Sequence, residues 1–262
     1  MEIVIPLIIL GVMAAIFAVI LAIAGIKLAV VQDERVEKIT SLLTGANCGG
    51  CGYAGCQAFA QAIVEGNAKV TDCPSTTKEN KALIAEIMGS ELGEVEQTIV
   101  VCACNGGNRC LEKYEYQGYG DCASIELLAG GRKACPTGCI GAGKCSDVCP
   151  YHAVEVNSDG VAKIDQKRCV QCGTCIIACP KKLMKRLPAK AKIYIACSNH
   201  GKGKEVRSIC KVGCMGCGLC AKVCEHDAIV LKDGLPVIDY DKCVNCRKCV
   251  EKCPAKCILT LD

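Results

Sequence analysis

Residues 169–180 read Cys-Val-Gln-Cys-Gly-Thr-Cys-Ile-Ile-Ala-Cys-Pro, and residues 243–254 read Cys-Val-Asn-Cys-Arg-Lys-Cys-Val-Glu-Lys-Cys-Pro. In both, cysteine recurs with two, two and then three residues between, and proline follows the fourth. Thiols packed this tightly converge on a metal centre, whereas cysteines that pair across loops are scattered more evenly. The proline ends the local helical turn and turns the chain away. One such run would be suggestive; two without gaps decide how the surrounding chain is read.

Working outward, each run has a partner upstream. Cys214, Cys217, Cys220 and Cys224 keep the spacing, with Glu225 where proline is usual. Cys139, Cys145 and Cys149-Pro150 keep three of the four positions, with Ala142 in the place of a thiol. Cys135, Cys139, Cys145 and Cys149 share their spacing with Cys210, Cys214, Cys220 and Cys224, and Val101-Cys102-Ala103-Cys104 resembles Tyr194-Ile195-Ala196-Cys197. The chain therefore reads as two copies of one unit, 99–190 and 191–262, the first with an insertion carrying Cys110 and Cys122. The run is the bacterial ferredoxin signature, in which the fourth cysteine ligates the other cluster of a pair. Crossed ligation predicts [4Fe–4S] clusters on Cys214, Cys217, Cys220 and Cys253, on Cys243, Cys246, Cys249 and Cys224, and on Cys169, Cys172, Cys175 and Cys149. The remaining one would use Cys139, Cys145 and Cys179, with Cys135 standing in for the absent middle ligand.

A different module precedes these units. Cys48-Gly49-Gly50-Cys51-Gly52-Tyr53-Ala54-Gly55-Cys56 and then Cys73-Pro74 supply four thiols, with glycines that let the backbone wrap closely and aim N–H groups at sulfur. Zinc could also take four cysteines, but its ribbons present two C-x₂-C pairs, and this spacing differs. Val36, Ile39, Leu42 and Leu43 mark a short amphipathic helix before it. Further helices are predicted from Gln57 to Glu65 and from Lys78 to Leu92, the latter with Leu83, Ile84, Ile87 and Met88 inward.

From Ile3 to Gly25 the sequence carries no charge and is nearly all aliphatic. That exceeds the about 20 residues needed to cross a bilayer core. No basic segment precedes it, as a cleaved signal would require. Lys27, Arg35 and Lys38 follow it and only Glu2 lies before it, which predicts a single-pass anchor in the cytoplasmic (cell inner) membrane with the C-terminal domains in the cytoplasm.

Composition agrees with metals as the organising force. There are 27 cysteines against two Phe, seven Tyr and no Trp, so little aromatic surface is present to build a core. The net charge of +4 is too small for a nucleic-acid-binding face. No glycine cluster sits between a strand and a helix as a dinucleotide site requires. His152 and His226 lie in equivalent places after a fourth cysteine, where packing or hydrogen bonding is commoner than ligation. Lys181, Lys182, Lys185, Arg186, Lys190 and Lys192 form the densest basic stretch, read either as a solvated connector or as a docking patch for an acidic electron carrier.

The fold class expected is α+β: a transmembrane anchor (1–31), a small helical [4Fe–4S] module (32–98), and tandem dicluster ferredoxin-like domains (99–190, 191–262). Five clusters are expected. Of the remaining cysteines, Cys102, Cys104, Cys110, Cys122, Cys197, Cys210 and Cys257 read as buried thiols, with Cys104, Cys122, Cys197 and Cys210 as candidates for a sixth cluster. Anchor, glycine-rich module and tandem units together resemble the B subunits of Rnf ion-translocating complexes. The resemblance implies a relay that takes electrons from soluble reduced ferredoxin toward the other subunits of the complex, which reduces NAD⁺ while moving Na⁺ or H⁺; flavin and NAD sites would belong to those partners. Rival readings are a related complex reducing a redox-sensing transcription factor, a ferredoxin-like subunit of a hydrogenase or formate complex, and a zinc-stabilised membrane-tethered scaffold.

Overall fold

The computed structural model describes residues 4–27, 33–93 and 97–261. It begins with helix α1 (Val4–Lys27), 24 residues long. Where its side chains are described, from Leu10 to Gly25, its large apolar residues stand at least half exposed, so nothing among the described residues covers them. That described stretch is shorter than a bilayer span, and no helix among the described residues is long and apolar enough to cross a membrane.

Three short helices form the N-terminal module: α2 (Glu34–Leu42), α3 (Cys56–Val64) and α4 (Lys78–Met88). Asp33 caps α2 by accepting from Arg35 N, and Thr77 caps α4 by accepting from Asn80 N. Their apolar faces meet over Ile39, Phe59 and Ile84, all essentially without solvent exposure, with Cys73 in the same core. The expected helix to Leu92 stops earlier, because Gly89 takes the left-handed conformation (φ 61°) that terminates a helix. Leu83, expected inward, is 46% exposed; Lys81 and Ala85 take the inner face beside Ile84.

The remaining elements repeat. In the first copy β1 (Thr98–Cys102) is followed by α5 (Cys122–Leu127), α6 (Lys144–Asp147), β2 (Val154–Val156), β3 (Ala162–Ile164), α7 (Thr174–Ala178) and β4 (Met184–Pro188). The second copy holds β5 (Ile193–Ile195), α8 (Gly203–Ile209), α9 (Leu219–Lys222), β6 (Ile229–Lys232), β7 (Leu235–Ile238), α10 (Lys248–Lys252) and β8 (Ile258–Thr260). Each copy has two antiparallel ribbons, β1 with β4 and β2 with β3 in one, β5 with β8 and β6 with β7 in the other. The first strand of each copy thus pairs with its last, so chain ends close the unit. Equivalent backbone bonds mark the repeat: Ala103 N donates to Leu183 O at 2.8 Å, and Ala196 N to Cys257 O at 2.7 Å.

The four cysteine runs share one backbone path. The second residue after the first cysteine is left-handed in every run (Gly141, Gln171, Gly216, Asn245), as is the fourth residue (Gly143, Gly173, Gly218, Arg247). The third residue after the fourth cysteine is left-handed too (His152, Lys182, Asp227, Lys256). The run with Ala142 therefore keeps the loop of its siblings and lacks only the sulfur. His152 is equivalent to Asp227 rather than to His226, since the two histidines stand three and two residues after their cysteines. Gly141 and Gly216 are required by contact as well as by φ: a Cβ on either would lie 2.7 Å from the carbonyl oxygen of Gly160 or Gly234.

Candidate metal centres

The thiols gather at six places on this framework, numbered I to VI in the order of their contacts. At site I, Cys51 has Cys73 and Cys48 as its neighbours, and Cys56 opens α3 with its N–H held by Asn47 Oδ1 at 2.8 Å. Thr76 Oγ1 donates to Cys73 Sγ at 3.1 Å. Lys81, 3% exposed, faces Cys73; burial lowers its pKa, and the negative charges at Cys73 and Asp72 oppose that. A buried ammonium beside thiolates suits a group carrying net negative charge.

At site II, Cys175 is surrounded by Cys169, Cys172 and Cys149, and burial pushes its thiol up to about 11. Ala153 N donates to Cys149 Sγ at 3.3 Å. Sites I and II abut: a Cβ on Gly50 would lie 2.0 Å from the Cys172 carbonyl oxygen, so the glycine loop of one presses directly on the backbone of the other.

Site III is a cavity with an empty volume of about 390 Å³, open mouth included, whose thiols are Cys122, Cys139, Cys145, Cys179 and Cys102. Desolvation pushes Cys145 up to about 12. The structure thus places Cys122, not Cys135, with Cys139, Cys145 and Cys179. The backbone N–H groups of Lys144 and Ala142, the latter the residue in the missing thiol's place, donate to the Cys122 sulfur. The arm that carries Cys122 is pinned by Lys181, whose ammonium meets Glu126 Oε2 at 2.7 Å and the carbonyl oxygen of Gly130 at 2.8 Å. The basic stretch is accordingly built into the connection: Lys190 pairs with Asp241 at 2.6 Å, and Lys192 N donates to Asn245 Oδ1 at 3.0 Å.

Site IV lies between the two copies, a cavity of about 380 Å³ lined by Cys104, Cys110, Cys135, Cys197 and Cys210, with Cys139 touching it from site III. Cys110 and Cys210 face each other in an isolated antiparallel bridge. Asn199 Nδ2 donates to Cys135 Sγ at 3.3 Å, and Gly106 N and Cys139 N each donate to Cys104 Sγ at 3.4 Å. Hydrogen bonding with the Cys110 thiol lowers the pKa of Cys135 and of Cys210, against the opposing effect of burial. Of the sixth-cluster candidates, Cys104, Cys197 and Cys210 are here, and Cys135 replaces Cys122.

Site V, a cavity of about 370 Å³, is lined by Cys214, Cys217, Cys220, Cys253 and Cys257. Cys214 N donates to Cys197 Sγ at 3.3 Å, which ties it to site IV as Cys139 ties site III. At site VI, Cys249 has Cys246 and Cys243 as neighbours and Cys220 of site V beyond, while Cys224 packs against the same core. Cys217 and Cys246 are the two exposed cysteines of the chain. Glu225, in the usual proline position, instead forms an exposed ion pair with Lys248 on α10, beside Cys224 and Cys249 of site VI.

This donor chemistry fits [4Fe–4S] clusters. All 27 cysteines are free thiols. Desolvation holds many of them neutral unless cationic iron takes the charge, and backbone N–H groups point at their sulfurs. Among the described residues no three His, Cys, Asp or Glu side chains converge on one point as a single ion would require, with zinc–sulfur bonds of about 2.3 Å. At sites III, IV and V the thiols stand instead around the walls of wider cavities.

The spacing leaves Cys110 without a site, groups Cys122 with Cys104, Cys197 and Cys210, and puts Cys135 with Cys139, Cys145 and Cys179, whereas the cavities exchange Cys122 and Cys135. The signal was present: the insertion carrying Cys122 occurs only in the copy that has lost its middle thiol.

Residues 43–75 match the family described as a putative Fe-S cluster, and residues 138–183 and 213–257 match the 4Fe-4S dicluster domain. Most of the thiols of site IV, and Cys122, lie outside these matches. The B subunit of the Na(+)-translocating ferredoxin:NAD(+) oxidoreductase complex of Acetobacterium woodii is 42% identical over 98% of this chain and 77% of its own length. That of the ion-translocating oxidoreductase complex of Methanosarcina acetivorans is 37% identical over 92% of this chain and 91% of its own. The proton-translocating counterpart of Clostridium ljungdahlii is 36% identical over 96% and 90%. With four-thiol sites arranged in tandem and kinship along nearly its whole length, the chain belongs to the family of B subunits of ion-translocating oxidoreductase complexes.

Proposed function

We propose that this chain is the electron-relay subunit of a membrane-bound, ion-translocating ferredoxin:NAD⁺ oxidoreductase, and that its sites I to VI hold six [4Fe–4S] clusters in one line. The ligands would be Cys48, Cys51, Cys56 and Cys73; Cys149, Cys169, Cys172 and Cys175; Cys122, Cys139, Cys145 and Cys179; Cys104, Cys135, Cys197 and Cys210; Cys214, Cys217, Cys220 and Cys253; and Cys224, Cys243, Cys246 and Cys249. At site IV the repeat selects the four, since Cys104 matches Cys197 and Cys135 matches Cys210. Bound clusters supply one-electron redox chemistry at potentials set by burial and hydrogen bonding to sulfur.

The observation that carries this reading is the continuity of contact. Gly50 touches Cys172, Cys175 neighbours Cys145, Cys139 N donates to Cys104, Cys214 N donates to Cys197, and Cys249 neighbours Cys220. Site IV is the link between the two copies. The exposed thiols Cys217 and Cys246 put the C-terminal end where a soluble partner such as reduced ferredoxin can approach, with Lys242, Arg247, Lys248 and Lys252 around it suited to an acidic surface. The uncharged segment Ile3–Gly25 would anchor the opposite end in the cytoplasmic membrane, next to site I and the other subunits of the complex. The relatives' names give Na⁺ in one case and protons in another at comparable identity, so choice of ion belongs to those partners rather than to this relay.

Mixing the anaerobic full chain with catalytically reduced ferredoxin tests the reading. The expected result is bleaching of a brown visible absorbance and reduced-state paramagnetic signals, faster at low salt than at high. A colourless chain, or one that ferredoxin leaves oxidised at any salt, would overturn it.

A further inference from the structure

We infer that Cys102, Cys110 and Cys257 are non-ligating thiols whose S–H groups hydrogen-bond to ligand sulfurs of sites III, IV and V and thereby set the reduction potentials of the three middle sites. The inference rests on the six-site reading above. Six sites of four thiols use 24 of the 27 cysteines, and these three are what remains. Each lies in the wall of a different middle cavity, beside the four thiols proposed as its ligands.

All three are buried, at 3%, 6% and 1% exposure. Cys102 hydrogen-bonds the Cys139 side chain. Cys110 lies within hydrogen-bond reach of both Cys135 and Cys210, with the Leu111 carbonyl oxygen at 3.6 Å as the competing acceptor for its single S–H. Cys257 reaches Cys214, and its sulfur lies 3.6 Å from that of Cys253. A thiol is a weak donor and a ligated thiolate sulfur is a good acceptor, so the S–H points from the free cysteine to the ligand.

The two copies deliver this group by different routes. In the first, Cys102 comes from the opening strand β1 and Leu183 precedes the closing strand; in the second, Ile195 ends the opening strand and Cys257 precedes the closing one. These positions correspond through the bonds of Ala103 to Leu183 and Ala196 to Cys257. One thiol and one aliphatic side chain are thus kept at each place with their strands exchanged, and the thiol meets the first cysteine of the run both times. Plain core packing would be served by an aliphatic pair and would not single out that sulfur.

Hydrogen bonds to sulfur favour the reduced, more negative state. In the anaerobic full-length chain, Cys102→Ala, Cys110→Ala and Cys257→Ala should each keep the wild-type iron content. Redox titration followed by paramagnetic resonance should show one one-electron component displaced to lower potential in each. At that component's original midpoint the reduced-to-oxidised ratio should fall about fivefold, the worth of one ordinary hydrogen bond. The Cys→Ser variants, which retain a donor, should lie nearer wild type, and combined Ala variants should displace two components. Titrations superimposable on wild type in the Ala variants would overturn the inference. So would the loss of about four irons from any of them, which would make that cysteine a ligand. Failure of the cluster reading itself would appear separately, as missing iron in the unsubstituted chain.

Discussion

Combining Cys122→Ala with Cys135→Ala is expected to strip about eight irons from the chain, whereas each substitution alone should strip about four, counting four per cluster. The two cysteines sit in different cavities, Cys122 with Cys139, Cys145 and Cys179, and Cys135 with Cys104, Cys197 and Cys210. If they were alternative ligands of one site, the double variant would lose no more iron than either single one. Cys110→Ala is the internal control: it lines the same cavity as Cys135 yet should leave the count unchanged. Iron determination on anaerobically purified variants reads all four outcomes.

Much of this arrangement was legible in the sequence, and the part that was not has a physical reason. A C-x₂-C-x₂-C-x₃-C run carries its own geometry, because the three close thiols and the left-handed residues between them are set by local backbone. The loops around Cys169, Cys172 and Cys175 and around Cys243, Cys246 and Cys249 therefore follow from spacing alone. Even the run lacking a middle thiol keeps that loop, with Gly141 and Gly143 left-handed as in its siblings. Cys122 and Cys135 are different. Which cavity each enters depends on how the insertion folds back over the first copy, and that is decided by Lys181 gathering Glu126 and the Gly130 carbonyl from about fifty residues upstream. Spacing placed Cys135 next to the incomplete run, but its side chain turns toward Asn199 of the second copy. Likewise the helix expected as far as Leu92 ends at Met88, a local matter of Gly89 that apolar periodicity alone overran.

Gly50→Leu should separate site I from site II. A Cβ there would stand 2.0 Å from the Cys172 carbonyl oxygen, and backbone, unlike the end of a long side chain, cannot swing aside. Inserting bulk into a packed contact costs about 1–3 kcal/mol, comparable to what holds a small interface together. Both sites should keep their iron, since every ligand remains. The expected loss is of their proximity: magnetic coupling between the reduced sites should vanish, and the connection between α4 and β1 should become more susceptible to protease. Gly45→Leu, at a glycine with open space around its Cβ position, gives a comparison in which strain comes from its φ of 66° alone. Coupling that survives Gly50→Leu would mean the two sites are not apposed as described.

Iron and acid-labile sulfide, quantified together on the full-length chain purified without oxygen, test most directly whether the thiols hold a continuous series of clusters. Six filled sites predict about 24 of each per chain. A chain carrying zinc in place of iron, with no sulfide released by acid, would contradict the account at its root.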